Sequence, residues 1–206
     1  MLFRSAATPD RAQRSEAAEG GLRQRTLDAA VEILATEGIA GLSMRNVASR
    51  AGCSTMAVYH YFDNKQGLLD ALYSEGFDRL RKAQTPPLGS GDPRADVRAM
   101  CLKYRTVAIE NPEFYQIMFA SPIKGYKPAP ESQAHARATY LQFVDAIEKW
   151  SQVEELSTDV PSAAHVLWSL GHGLMMLELN GNAPKGDRAR RFVIGTDAMM
   201  DGLTKG

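Results

Sequence analysis

At 206 residues, the chain has the length of one large helical domain or of a small module joined to a bigger one, since domains run to roughly 100 to 200 residues. Its 44% hydrophobic and 23% charged content allows a buried core and excludes a collagenous or broadly disordered chain. Twenty-four basic side chains against 24 acidic ones leave no formal net charge, so any nucleic-acid contact has to be focal rather than carried by bulk positive charge.

Residues 1–20 lack the apolar run of a signal peptide and read as a polar, flexible lead-in; with no export signal, a cytoplasmic protein is expected. Arg4, Arg11 and Arg14 are either solvated there or an arm for a minor groove. From residue 21 the text turns helical. Leu27, Ala30, Val31, Leu34 and Ala35 share one face, and Gly38 ends a first helix over about 21–37. Ser43 stands as N-cap before Met44, Val47, Ala48 and Ala51, two turns closed by Gly52. Ser54 caps a third short helix to about residue 61. Asn64 caps a fourth to about residue 83, with Leu68, Leu69, Leu72, Tyr73 and Leu80 on its apolar side.

Thr85 to Gly91, with two prolines and two glycines, cannot continue a helix and reads as a seam. Asp92 followed by Pro93 opens a helix whose buried face is Val97, Met100, Cys101, Tyr104 and Ala108. Asn111 and Pro112 start a short aromatic helix, PEFYQIMF, followed by a proline-marked loop. Two long helices are predicted over about 131–155 and 160–179, and Asp187 caps a last one to about residue 203. The stretch 160–177 carries no acid, lysine or arginine. At that length, with His165, His172, two serines and two glycines, it reads as an interface helix rather than a membrane span. No strand alternation and no repeat is present, so the expected fold class is all-α. Two cysteines, Cys53 and Cys101, show no disulfide or zinc spacing and suit a reducing compartment.

The segment that carries chemistry is SMRNVASRAGCSTMAVYHYFDNK, residues 43–65. Two helices of about two turns joined by Ala51-Gly52-Cys53 must cross steeply, the helix-turn-helix arrangement whose second helix enters a major groove. Val47, Cys53, Val58 and Phe62 would form its small core, and Ala48 would allow close approach. Thr55, Met56 and Ala57, slender residues at the exposed start of the third helix, are the candidate base readers, by hydrogen bond or by contact with thymine methyls. Tyr59, His60 and Lys65 supply donors for phosphates, the capped starts of the second and fourth helices add backbone amides, and Ser43, Arg45 and Ser54 complete the candidate phosphate contacts. Residues 39–66 hold Arg45, Arg50 and Lys65 against Asp63, a local charge of about +2 in a neutral chain.

The run TLDAAVEILATEGIAGLSMRNVASRAGCSTMAVYHYFDNKQGLLDAL, residues 26–72, resembles the TetR/AcrR regulators. Its most specific elements are the Gly38 stop, Ser43-Met44-Arg45, Ala48 with Ala51-Gly52, and Tyr59-His60-Tyr61-Phe62 before Asn64-Lys65. The resemblance implies phosphate contacts by Ser43, Tyr59, His60 and Lys65, and base reading by Thr55, Met56 and Ala57. Thr55, Met56 and Ala57 stand where lysine, glycine and threonine are frequent, so the operator cannot be inherited from a relative. Asn46 replaces the acid that commonly completes the capping box.

A second, shorter resemblance, on residues 111–119 and on Trp168-Ser169-Leu170-Gly171-His172-Gly173-Leu174, is to the WHG-type ligand-binding domain of a TetR subgroup. It implies a helical regulatory domain that dimerises through its last two helices, with Leu167, Leu170, Leu174, Leu177, Phe192, Met199 and Leu203 as the interface. The expected organisation is thus a flexible segment 1–20, a DNA-binding domain 21–66, and an effector-binding and dimerisation domain 67–206, with helix four as the link. Tyr104, Phe114, Tyr115, Met118, Phe119, Phe143, Trp168, His172 and Met175 are candidates for lining an effector cavity or for plain core. His172 either meets an effector or bonds a neighbouring helix. No nucleophile beside a base, metal spacing or phosphate loop supports an enzyme, a cofactor or a metal site. The expected function is a homodimeric repressor that leaves a partly palindromic double-stranded operator when it binds a small apolar effector. Control by a protein partner is one alternative, and an all-helical enzyme with its site in the C-terminal bundle is the rival of a different class.

Overall fold

The computed structural model describes residues 11–85, 91–120 and 125–205, the side chains of 11–19 and 120 excepted. Arg4, the side chains of Arg11 and Arg14, and the centres of the predicted seam and of the proline-marked loop lie outside the described residues. Among the described residues the architecture is α-helical, with one isolated bridge between Leu156 and Thr204 as its sole β feature. The helices are α1 (Arg11–Gly41), α2 (Met44–Ala51), α3 (Thr55–Phe62), α4 (Lys65–Ala83) and α5 (Pro93–Glu110), then α6 (Pro112–Tyr115), α7 (Pro130–Ser151), α8 (Val160–Leu179) and α9 (Arg188–Leu203). The chain forms two compact units that part between Leu72 and Tyr73, inside α4. That is six residues beyond the predicted boundary, because Leu68, Leu69 and Leu72, all buried, belong with the first unit.

In the first unit α1 starts ten residues before the predicted position, and Gly38 breaks it at φ 66°, ψ −168°. A residue with a side chain resists that conformation, so the predicted stop at Gly38 holds even though one more turn follows it. The buried face of α1 is Thr26, Leu27, Ala29, Ala30 and Ile33. Ala35, expected there, is exposed and Val31 and Leu34 are half-buried. The stripe is therefore rotated by about one residue, a shift that small alanines on both flanks leave undetermined in the pattern. Met44, Val47 and Ala48 of α2 and Val58 and Phe62 of α3 complete the core. Cys53, predicted to be buried with them, is only half-buried. The Arg23 guanidinium lies 5.5 Å over the Phe62 ring and covers its outer edge.

In the second unit α5, α7, α8 and α9 enclose a cluster with Val97, Met100, Ile147, Trp150, Ala163, Ala164 and Met200 at its centre. The face predicted for α5 is the buried one, residue for residue. Polar ties fix the register of α5. Arg98 grips Asp197 of α9 with two bonds of 2.6 and 2.9 Å, and Arg105 grips Glu178 of α8 with two of 3.2 and 2.7 Å. The short aromatic helix ends after one turn, and Gln116–Ala120 continues it as a π-helical turn. Met118 of this turn and Phe114 before it pack against Gly76 of α4, where a β-carbon would lie 2.6 Å from the Met118 sulfur. Ser157 N–H to Leu203 C=O (2.8 Å) and Lys205 N–H to Glu155 C=O (2.9 Å) pin the end of α9 to the α7–α8 connection.

Candidate nucleic-acid interface and ligand cavity

Local chemistry sets the geometry around α3. Ser43 is extended (φ −138°, ψ 152°) and its Oγ accepts from the Asn46 N–H at 3.2 Å; Ser54 does the same for the Ala57 N–H at 3.1 Å. Gly52 takes φ 65°, ψ 38°, and the Cys53 N–H reaches back to the Ala48 carbonyl at 3.0 Å. This left-handed cap turns the chain within three residues. Asn64 Oδ1 accepts from the Gly67 N–H at 3.0 Å and opens α4 as predicted. Asn46 does not complete a capping box. Its amide donates instead to the Gly41 carbonyl (3.0 Å) and to Glu37 (2.9 Å), tying α2 to the end of α1.

Along α3, Val58 and Phe62 face inward, four residues apart. That spacing fixes the opposite side as the outer one. Met56 is 78% exposed, Tyr59 is 47% exposed and His60 is also exposed, while Thr55 and Ala57 are half-buried on the flanks. Ser43, Arg45, Ser54 and Lys65 are all at the surface. The structure thus brings the predicted base-reading and phosphate-contacting residues onto the outer surface of one small unit. Arg50 is different. It pairs with Glu37 at 2.8 Å and Glu32 at 3.6 Å, so much of its charge is balanced within the protein and the local excess rests on Arg45 and Lys65.

The second unit contains a cavity of about 370 Å³, bounded by α4, α5, α7, α8, α9 and the π-helical turn. Of the predicted lining, Tyr104, Met118, Phe119, Phe143 and Trp168 are in its wall. Phe114 and Tyr115 border a much smaller adjoining void instead, and Met175 is fully buried away from both. His172 lies outside the wall. Its Nδ1 is 2.8 Å from the Tyr115 hydroxyl and 3.2 Å from that of Tyr104, the two hydroxyls being 3.0 Å apart. Burial lowers the His172 pKa and so disfavours the imidazolium. Burial raises both phenols, Tyr115 to about 12. The cluster is a bonded link between α5, α6 and α8.

Sequence reasoning missed the α4 wall, Tyr73, Phe77, Leu80 and the adjacent Gln84, and also Arg137, Thr139, Tyr140 and Thr196. Two of these carried a signal. Thr139 and Thr196 are buried polar residues at core-facing helix positions, where a hydroxyl needs either a partner or an open space.

The α8–α9 assignments divide. Leu167, Phe192 and Leu203 are at most 7% exposed and fill the interior of their own chain, so they are not part of any exposed interface. Met199 packs against the same core. Leu170 and Leu174 lie over Gly195 of α9, and Leu177 (48%) and Ile194 (51%) are exposed. Val166 is exposed as well, at 37%. An apolar strip therefore runs along the outer side of α8, with Ile194 exposed on α9.

A three-helix unit with a glycine-turned pair of short helices, the second presenting its capped start and outer face to solvent, is the form of a helix-turn-helix DNA-binding domain. Comparison with known proteins gives the same class. Residues 27–72 match the family model described as bacterial regulatory proteins, tetR family, and residues 97–199 match the tetracyclin repressor-like C-terminal domain. The chain belongs to the TetR family of DNA-binding transcriptional regulators.

The HTH-type transcriptional repressor DrrR1 of Streptomyces coeruleorubidus is 37% identical over 49% of this chain and 37% of its own length. An uncharacterized regulator in the dhlA 5' region of Xanthobacter autotrophicus is 41% identical over 40% of this chain and 45% of its own. The chain thus spans less than half the length of these curated relatives. A structure of a protein with unknown function from Rhodococcus sp. RHA1 superposes with a TM-score of 0.78 at 26% identity, covering 89% of this chain and 96% of that one. Among the described residues no helix is long and apolar enough to cross a membrane.

Proposed function

We propose that the chain is a homodimeric repressor that binds a partly palindromic operator through one α3 per protomer and leaves it when an effector occupies the cavity of the second unit. The observation that carries this reading is the sorting of α3, with Met56 78% exposed two residues from Val58, which is fully buried. In this reading Thr55, Met56 and Ala57 face base edges. Ser43, Arg45, Ser54, Tyr59, His60 and Lys65 hold phosphates on either side. The apolar strip Val166, Leu170, Leu174, Leu177 and Ile194 is covered by the same strip of a second copy, the self-complementary arrangement of a two-fold dimer. A regulator of this class acts where the chromosome is, in the bacterial cytoplasm.

The effector's leverage comes from α4. One continuous helix holds Leu68 and Leu69 in the first unit and carries Tyr73, Phe77 and Leu80 into the cavity wall. Two recognition helices bind together only when spaced by about one turn of DNA, roughly 34 to 36 Å. An effector that prefers a different α4 position lowers operator affinity by the ratio of its affinities for the two states.

The sorting of contacts has a direct test in fluorescence anisotropy with a labelled duplex from the region upstream of the gene. Tyr59→Phe removes one phosphate hydrogen bond and is expected to weaken binding to all sequences alike by about three- to tenfold. Met56→Ala is expected to redistribute affinity among operator variants instead. If the two substitutions gave the same pattern across a panel of duplexes, the assignment of readers and holders would be wrong.

A further inference from the structure

The cavity wall is mostly aromatic and aliphatic, and its polarity is concentrated in a few groups. Gln84 spends its amide on the Met100 carbonyl at 3.0 Å, and Thr139 spends its hydroxyl on the Phe77 and His135 carbonyls. Among the described residues the one charged side chain in the wall is Arg137 of α7, which borders the cavity yet is exposed to solvent. Two acids of the same unit are already paired. Asp78 accepts from His135 at 2.9 Å and lies 3.7 Å from Arg81, and Asp197 is held by Arg98. Arg137 makes no ion pair among the described residues, and no carboxylate is in the cavity wall.

Resting on the reading of this cavity as the effector site, we infer that its ligand is a lipophilic carboxylate: an apolar body inside the cavity, with a carboxylate at the mouth on Arg137. A guanidinium presents paired N–H donors in the fork that a carboxylate matches. An apolar wall with one cation at its solvent edge selects an amphipathic anion over a neutral molecule of the same shape, and rejects a cation. The volume, on the order of a dozen waters, suits a body of medium acyl length. Thr196 and Tyr140, also in the wall, place hydroxyls where a ligand's second polar group is accommodated.

The test uses the full-length protein and three amphiphiles with one apolar body and different headgroups: dodecanoate, dodecan-1-ol and dodecyltrimethylammonium, each below its micelle concentration, with binding followed by calorimetry. Dodecanoate is expected to bind about tenfold more tightly than the alcohol, and the ammonium compound most weakly. In Arg137→Gln the acid and alcohol are expected to bind equally, and Arg137→Lys should recover part of the preference. Equal affinity for acid and alcohol in the unsubstituted protein, a preference that survives Arg137→Gln, or no saturable binding by any of the three overturns the inference. Operator release is read separately. A headgroup preference without any change in operator affinity upholds the ligand class and sinks the effector reading, whereas release by acid and alcohol alike does the reverse.

Discussion

Replacing Leu177 or Ile194 with glutamate is expected to yield a folded monomer whose operator affinity is lower by about two to four orders of magnitude. Both side chains are about half exposed in the single chain, so the change costs little core packing. In the proposed dimer each would sit near the two-fold axis. There a carboxylate loses its water and meets its own copy, a like-charge pair with no counter-ion. Once the dimer separates, the second α3 no longer finds its half-site at the high effective concentration that a rigid partner supplies. The expected loss is the advantage that linked binding normally confers, about 10²- to 10⁴-fold. Sedimentation equilibrium gives the mass and circular dichroism the fold. A variant that remains a dimer would place the interface on another surface, and a monomer with undiminished operator affinity would remove the need for two copies.

Gly67→Ala is expected to damage the DNA-binding unit almost as severely, through backbone rather than charge. Gly67 lies in the first turn of α4, held by Asn64 Oδ1, and the Phe62 carbonyl oxygen is 2.1 Å from where a β-carbon would sit. Nothing flexible is there to move aside. The methyl group must displace the last carbonyl of α3, and with it Phe62, which seals the core under the Arg23 guanidinium. Overpacking of this kind costs about 1–3 kcal/mol, a large share of the 5–15 kcal/mol typical of a domain. Because the strain falls on α3 itself, operator affinity should drop by about 100-fold or more even where the protein stays folded. Gly52→Ala is the control. A β-carbon there meets no atom within 4 Å, and only its φ of 65° resists, worth about 1–2 kcal/mol. Thermal melting and anisotropy on both variants separate steric from conformational cost. Equal effects would show that the Phe62 carbonyl has room to yield.

The helices were legible in the sequence largely because their caps are written in it. Ser43, Ser54, Asn64, Asp92 and Asp187 each accept a backbone N–H from three residues on. For α8 and α9 the boundaries agree with expectation to the residue. The start of α1 carries no such signal, and residues 11–20 are polar enough to read as a lead-in. The outer face of α3 was legible because Val58 and Phe62, four residues apart, mark one face of a two-turn helix as the inner one.

Less could be read of what covers an apolar stripe. Leu167 and Leu177 belong to one apolar helix, yet one is core and the other surface, since periodicity shows that a residue is apolar and not which neighbour meets it. The cavity was legible only on its aromatic side. Arg137 falls two residues before Thr139 on α7 and has no sequence neighbour that marks it. Its place at the cavity follows from how five helices converge. Asn46 was visible as a departure from a capping box. Its use as a tie to Glu37 and Gly41 depended on where α1 ends.

The measurement that bears most directly on the account is a titration of the full-length protein against a duplex from the region upstream of the gene, beside an unrelated duplex of equal length, at physiological salt. The expected result is two protomers per duplex, a dissociation constant on the order of 10⁻⁸ M or lower, and a preference of about 10³-fold or more over the unrelated sequence. That preference should shift to other sequences in Met56→Ala. Binding that is equal for both duplexes, or a preference that Thr55 and Met56 substitutions leave untouched, would contradict the assignment of α3 as the element that reads DNA.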